Sequence, residues 1–153
     1  MNPNDRITNV APADAGKLVK MLIVDDEAVI CEGLRYTIDW TQLGVEVVGE
    51  AYDGFEALRL IEEHGAQLIL SDIRMDGMDG LELAKEVRHR HPEVQIVMIS
   101  GYEEFEYARQ AIRVGVGDYL LKPVDIEELS SVVKKIVTAI HTGGKEETTR
   151  EIE

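Results

Sequence analysis

Four short stretches of this chain each place a charged or hydroxyl side chain directly after a run of aliphatic residues. They are Leu22-Ile23-Val24 before Asp25 and Asp26, Leu68-Ile69-Leu70-Ser71 before Asp72, Ile96-Val97-Met98-Ile99 before Ser100, and Tyr119-Leu120-Leu121 before Lys122-Pro123. Brought together, they amount to three carboxylates, a hydroxyl and an ammonium. Two like charges about 4 Å apart repel by about 4 kcal/mol at an effective dielectric near 20, so such acids require a cation. An all-oxygen donor set suits Mg²⁺, which takes octahedral geometry at about 2.0–2.1 Å and keeps several waters. With a divalent ion, Lys122 and Ser100 would surround the oxygens of a phosphoryl group, which is the electrostatics of phosphoryl transfer. A carboxylate can serve as the nucleophile, and Asp72 is the acid with no acidic neighbour in sequence. Taken singly, each residue has a structural explanation: Lys-Pro ends a strand in a turn, Ser caps a helix, and acids pair with bases. No comparable basic cluster stands beside the three acids in sequence, which favours the metal.

Convergence depends on the elements that carry these residues. Short apolar runs bounded by polar residues read as buried parallel strands, and an open α/β sheet binds its ligand just outside the strands' carboxyl ends. From Leu18 the chain alternates strand (Val19–Val24), helix (Glu27–Ile38), strand (Val45–Ala51), helix (Gly54–Glu63), strand (Gln67–Ser71) and helix (Leu81–Arg90). It continues with strand (Val94–Ile99), helix (Glu103–Val114), strand (Asp118–Leu121) and helix (Ile126–His141). These units predict an α/β fold, a five-stranded parallel sheet covered on both faces by five helices. Asp53 with Glu56, and Asp125 with Glu128, have the spacing of capping boxes, while Gly65 and Gly115 suit helix C-termini. The last helix carries Leu129, Val132, Val133, Ile136, Val137 and Ile140 on one stripe, a face made to pack on a sheet.

The chain has 153 residues, 44% of them hydrophobic, enough for one domain with a full core. Its 30 acidic against 16 basic residues give a net charge of −14, which opposes non-specific binding to nucleic acid or to an anionic membrane. The single cysteine, Cys31, can form neither an internal disulfide nor a thiolate metal site, and reads as a core residue. No run approaches the roughly 20 apolar residues needed to span a bilayer, and a cytoplasmic location is expected. Residues 1–16 lack periodicity and read as a flexible extension or cloning remnant; residues 17–141 form the domain; residues 142–153 read as a polar linker or tail.

An acidic pair, a lone Asp, a Ser and a Lys-Pro at successive strand ends resemble the pattern of the receiver domain of two-component response regulators, over Leu18 to about His141. The resemblance implies a doubly wound, flavodoxin-like sheet of strand order 2-1-3-4-5. It implies that Asp25 and Asp26 bind Mg²⁺, that Asp72 accepts the phosphoryl group, and that the backbone carbonyl of Arg74 completes the metal site. Ser100 then becomes the switch hydroxyl, Lys122 the phosphoryl-binding amine, Pro123 a cis proline and Tyr119 the switch aromatic, which turns inward when Ser100 moves toward phosphorylated Asp72. The implied partners are a sensor histidine kinase and, on phosphorylation, a second copy bound through the fourth helix, fifth strand and fifth helix. Thr37-Ile38-Asp39-Trp40, Leu43-Gly44-Val45-Glu46-Val47-Val48-Gly49-Glu50-Ala51 and Ser100-Gly101-Tyr102-Glu103-Glu104-Phe105-Glu106-Tyr107-Ala108 further resemble receivers that precede an AraC-type helix-turn-helix region. The expectation is the input domain of a transcription regulator, with DNA bound through an output domain absent from this chain.

One position departs from the family. The segment after Asp72 is Met75-Asp76-Gly77 where receivers commonly have Met-Pro-Gly. Asp76 removes a restraint on φ and adds a carboxylate near the cleft, so weaker self-phosphorylation from small phosphodonors or a more mobile loop is expected. Arg74 and Tyr102 flank the expected path of a hydrolytic water. The leading function is a phosphorylation-controlled switch with slow self-dephosphorylation. The alternative is a Mg²⁺-dependent phosphohydrolase working through an aspartyl-phosphate at Asp72; the chain lacks a cap or substrate domain for that role. Gly115-x-Gly117 lacks the third glycine of a dinucleotide fingerprint, and no phosphate-binding loop ending in Gly-Lys-Ser/Thr occurs, so nucleotide binding is not expected.

Overall fold

The computed structural model describes residues 17–101 and 105–143. The N-terminal extension, Tyr102, the expected start of a helix at Glu103, and all but the first two residues of the polar tail lie outside the described residues. Five strands, β1 (Val19–Val24), β2 (Val45–Ala51), β3 (Leu68–Asp72), β4 (Gln95–Ser100) and β5 (Asp118–Leu121), alternate with helices α1 (Ala28–Thr37), α2 (Gly54–His64), α3 (Gly80–Arg90), α4 (Phe105–Val114) and α5 (Ile126–Thr142). The sheet is parallel throughout, in the order β2-β1-β3-β4-β5. This is the flavodoxin-like topology the resemblance implied.

The strands are apolar on both sides because helices cover both faces of the sheet. Leu22, Val24, Ile69, Ile96 and Met98 pack with Ala57, Leu58 and Ile61 of α2, Leu83 and Val87 of α3, and Ala111 of α4. The alternate residues Met21, Ile23, Leu68, Leu70, Val97 and Ile99 pack with Cys31 of α1 and with Leu129, Val133 and Val137 of α5. Between α1 and β2 a 3₁₀ turn, Trp40–Leu43, buries Trp40, an element the apolar pattern did not reveal. Its indole N–H donates to the Leu34 carbonyl at 3.1 Å.

Helix caps settle where the strand-to-helix loops end. The Asp53 and Asp125 side chains accept backbone N–H bonds as their spacing suggested, but Glu56 reaches the N–H of Tyr52 rather than that of Asp53. The complete reciprocal box lies at Asp79 and Glu82, at the start of α3. Gly65 ends α2 in the left-handed region, φ 67°, with its N–H on the Ile61 carbonyl at 2.9 Å.

Candidate functional site

Parallel register brings the strand ends to one edge of the sheet. Val24 pairs with Ser71, Asp72 with Ile99, and Ser100 with Leu121, so Asp25, Asp72, Ser100 and Lys122 leave neighbouring strands at the same level. The ladder extends to the residues themselves. Asp25 N–H donates to Ala51 O at 3.0 Å, Ile73 N–H to Ile99 O at 2.9 Å, and Lys122 N–H to Ser100 O at 2.8 Å. Asp72 and Ser100 are the last residues of β3 and β4, one position later than the apolar runs alone indicated.

Asp25 is 3% exposed, and its Oδ1 accepts the Glu27 N–H at 2.9 Å. Burial pushes its carboxyl up from 3.8 to about 6; the Glu27 N–H and the Lys122 ammonium oppose the rise, and the charges of Asp72 and Asp26 add to it. Asp72 is 6% exposed, with Oδ1 at 3.0 Å from Lys122 Nζ and accepting the Ile73 N–H at 3.0 Å. Just behind it, the start of α3 passes so close that a Cβ on Gly80 would meet the Asp72 carbonyl oxygen, and would lie 2.8 Å from Ile73 Cα. Asp26 is exposed, and its Oδ2 accepts the backbone N–H of Asp76 at 3.2 Å. A proline at position 76 has no N–H to give, so the departure from the family pattern brings a bond to one of the acids along with an extra carboxylate.

Carboxylate oxygens of Asp25, Asp26 and Glu27 lie within 4.8 Å of one another. Glu27 is a candidate ligand that sequence reasoning missed, because the third acid of the run was read only as the start of a helix. It occupies the N-cap position of α1, yet its side chain makes no cap bond. Asp72 stands outside this trio and pairs instead with Lys122. Hard carboxylate oxygens at this separation fit a hard divalent cation.

Ser100 is fully buried, and its Oγ has no hydrogen-bond partner among the described residues. A hydroxyl left so costs about 1–3 kcal/mol, which sets it apart from the satisfied cap residue that an isolated Ser suggests. Tyr119 is half-buried against the cluster that includes Met98 and Met75. The Lys122–Pro123 peptide is cis. The Arg74 side chain is exposed, its Cζ 5.2 Å from the ring centroid of Tyr107 on α4.

A family profile described as the response regulator receiver domain matches residues 21–134. The chain belongs to the response-regulator receiver family. This receiver is 39% identical over 123 residues to the transcriptional regulatory protein YesN of Bacillus subtilis (strain 168), covering 80% of this chain and 33% of YesN. It is 37% identical over 123 residues to the transcriptional regulatory protein HptR of Staphylococcus aureus, covering 80% of this chain and 48% of HptR. Among solved structures, the REC domain of AraT, a response regulator from Geobacillus stearothermophilus, superposes with a TM-score of 0.74 at 45% identity, covering 81% of this chain and 98% of that one. A two component transcriptional regulator AraC from Clostridium phytofermentans ISDg gives 0.74 at 31% identity, covering 81% and 96%. The chain thus spans between a third and a half of the length of these curated relatives.

Receivers of this family are phosphorylated by histidine kinases, bind Mg²⁺ at an acidic pocket, and act in transcriptional regulators as switches rather than enzymes. The phosphohydrolase alternative finds no support in these relatives. No helix among the described residues is long and apolar enough to cross a membrane.

Proposed function

We propose that Asp72 takes a phosphoryl group from a histidine kinase and that its phosphorylation drives a change at the α4–β5–α5 face. One observation carries the reading: a nearly buried carboxylate held by a lysine at 3.0 Å on one strand end, beside a fully buried hydroxyl on the next that has no partner among the described residues. An Asp72 carboxylate oxygen forms a bond to phosphorus as the bond from phosphorus to the donor's imidazole nitrogen breaks, and the nitrogen keeps the electron pair. Lys122 then exchanges the carboxylate for a phosphoryl oxygen, and another phosphoryl oxygen gives Ser100 Oγ an acceptor. Water attack on phosphorus later returns Asp72 and inorganic phosphate.

Asp25, Asp26, Asp72 and the Arg74 carbonyl would hold the metal, with Glu27 as a further donor. When bound, Mg²⁺ neutralises the charge that develops on the phosphoryl oxygens. As Ser100 moves toward Asp72, Tyr119 turns into the space it leaves. The surface that responds carries exposed Ile112, Leu121 and Ile126 on α4, β5 and α5, apolar groups suited to a second copy of the chain. Residues 17–141 constitute the receiver, flanked by residues 1–16 and 142–153. It is the cytoplasmic input domain of a transcription regulator whose DNA contacts lie in an output domain.

Incubation of the protein with Mg²⁺ and acetyl phosphate, followed by intact mass measurement, tests the reading. The wild type gains one phosphoryl group and forms more dimer, and Asp72→Asn does neither. Phosphorylation that survives in Asp72→Asn, or none in the wild type, overturns it.

A further inference from the structure

We propose that Tyr107 is a positioning residue for the chemistry at Asp72, acting through the side chain of Arg74. The role rests on the reading of Asp72 as phosphoacceptor and of the Arg74 carbonyl as a metal ligand. Arg74 belongs to the connection between β3 and α3, residues 73–79. That segment is fastened at several points. Ile73 N–H donates to Ile99 O at 2.9 Å, Gly80 N–H to Ile73 O at 2.9 Å, and Gly54 N–H to Met78 O at 3.2 Å. Ile73 and Met75 are buried, whereas Arg74 between them points outward.

In a chain with 30 acidic residues, the Arg74 guanidinium lies over an aromatic ring, 5.2 Å from the centroid of Tyr107, and pairs with no carboxylate among the described residues. The ring is itself fixed. Tyr107 is half-buried in the first turn of α4, packed on the same cluster as Met75, Met98 and Tyr119. A cation over such a face is attracted by the ring quadrupole, and the phenolic oxygen contributes little to that attraction. The contact therefore pins the residue that must present its carbonyl to the metal, and pins it to the helix of the responsive face. It joins the phosphorylation loop to α4 by a route separate from Ser100 and Tyr119.

Pre-ordering raises the fraction of molecules whose loop is ready to accept the ion, and apparent affinity scales with that fraction. A cation–π contact at an exposed site is worth about a two- to five-fold population change, so that is the size of effect expected. The prediction is specific to charge and ring. Tyr107→Phe keeps the face and behaves as wild type. Tyr107→Leu keeps apolar packing but loses the face, and Arg74→Met keeps the stem but loses the cation. Both raise the Mg²⁺ concentration for half-maximal phosphorylation by acetyl phosphate about two- to five-fold. The double variant goes no further than either single one.

Two measurements on the full chain test this. Hydrogen exchange of the amides of residues 74–78, without Mg²⁺, rises by a similar factor in Tyr107→Leu and Arg74→Met and stays at the wild-type value in Tyr107→Phe. Mg²⁺ titrations of phosphorylation follow the same ranking. Arg74→Met lies on an exposed side chain and tests the contact without disturbing the packing of α4. Additive effects in the double variant, or exchange and half-saturation unchanged in both Tyr107→Leu and Arg74→Met, overturn the Tyr107 role alone. Phosphorylation that persists in Asp72→Asn overturns the site assignment and this role with it.

Discussion

Replacing Asp25 by Asn should make the metal-free protein more stable at neutral pH, although it removes an acid from the functional site. Asp25 ionises at about 6 in the fold because burial, ahead of the repulsion from Asp72 and Asp26, disfavours its charge; its ordinary value is 3.8. The folded protein therefore holds the proton more tightly than the unfolded chain. The stability that protonated Asp25 contributes is fully present below 3.8 and is lost as pH rises to about 6. Above that, the ionised carboxylate costs the fold about 3 kcal/mol, and near pH 4.5 only about 1 kcal/mol. Asn keeps an oxygen for the Glu27 N–H, bonded at 2.9 Å, and carries no charge. Thermal unfolding near pH 8 without Mg²⁺ should show a Tm gain of roughly 10 °C for Asp25→Asn, falling to a few degrees near pH 4.5. If Asp25 holds the ion as proposed, Mg²⁺ should raise the wild-type Tm and leave the variant almost unmoved. A variant no more stable than wild type near pH 8, or a gain independent of pH, would refute the reasoning.

Ser100→Ala removes a fully buried hydroxyl that has no partner among the described residues. It should raise unphosphorylated stability by about 1 kcal/mol in urea unfolding while abolishing phosphorylation-dependent dimerisation; a destabilised variant would show that the hydroxyl is satisfied in solution. Gly80→Ala pushes a Cβ against the Asp72 carbonyl and to 2.8 Å from Ile73 Cα, backbone that cannot swing aside, so a loss of about 1–3 kcal/mol is expected, and unchanged unfolding would count against that packing. Asp76→Ala keeps the N–H that Asp26 accepts at 3.2 Å and removes only the extra carboxylate, so it should phosphorylate faster than wild type. Asp76→Pro loses the N–H as well and should gain less; equal rates in wild type and both variants, with equal loop protection from hydrogen exchange, would remove any role for this position.

Strand-end chemistry was readable because burial on both faces forces a nearly continuous apolar run, and the polar residues that end such a run mark the sheet's edge. Asp25, Ser100 and Lys122 directly follow their apolar runs and Asp72 follows one buried hydroxyl residue, Ser71, and parallel register brings all four to one level. Glu27 escaped because a surface acid at a helix start has an ordinary explanation, and only coordinates show its oxygens beside those of Asp25 and Asp26. The bond from Asp76 N–H to Asp26 spans 50 positions and uses a backbone donor that every residue but proline carries, so no residue type announces it. The same holds for Arg74 over Tyr107, which depends on how the β3–α3 connection approaches the first turn of α4. Tight approach at Gly80 and the capping box at Asp79 were visible as residue types, yet their meaning rests on the helix starting one position earlier than the apolar pattern indicates.

The Ser100 hydroxyl, without a partner among the described residues, also bounds how strongly phosphorylation can act through it. Giving that group an acceptor recovers at most the cost of leaving it unsatisfied, about 1–3 kcal/mol, which is a shift of roughly 5- to 150-fold between two states. A dimerisation constant that changes within this range on phosphorylation needs nothing beyond the Ser100 and Tyr119 rearrangement. A larger change requires a second contact that differs between the states. Arg74 stacked on Tyr107 is placed to supply it, since it ties the loop between β3 and α3 to α4. A phosphoryl group that draws the loop toward Asp72 then works on α4 through both contacts, and because Tyr107 and Tyr119 pack on one cluster their contributions are coupled and do not simply multiply.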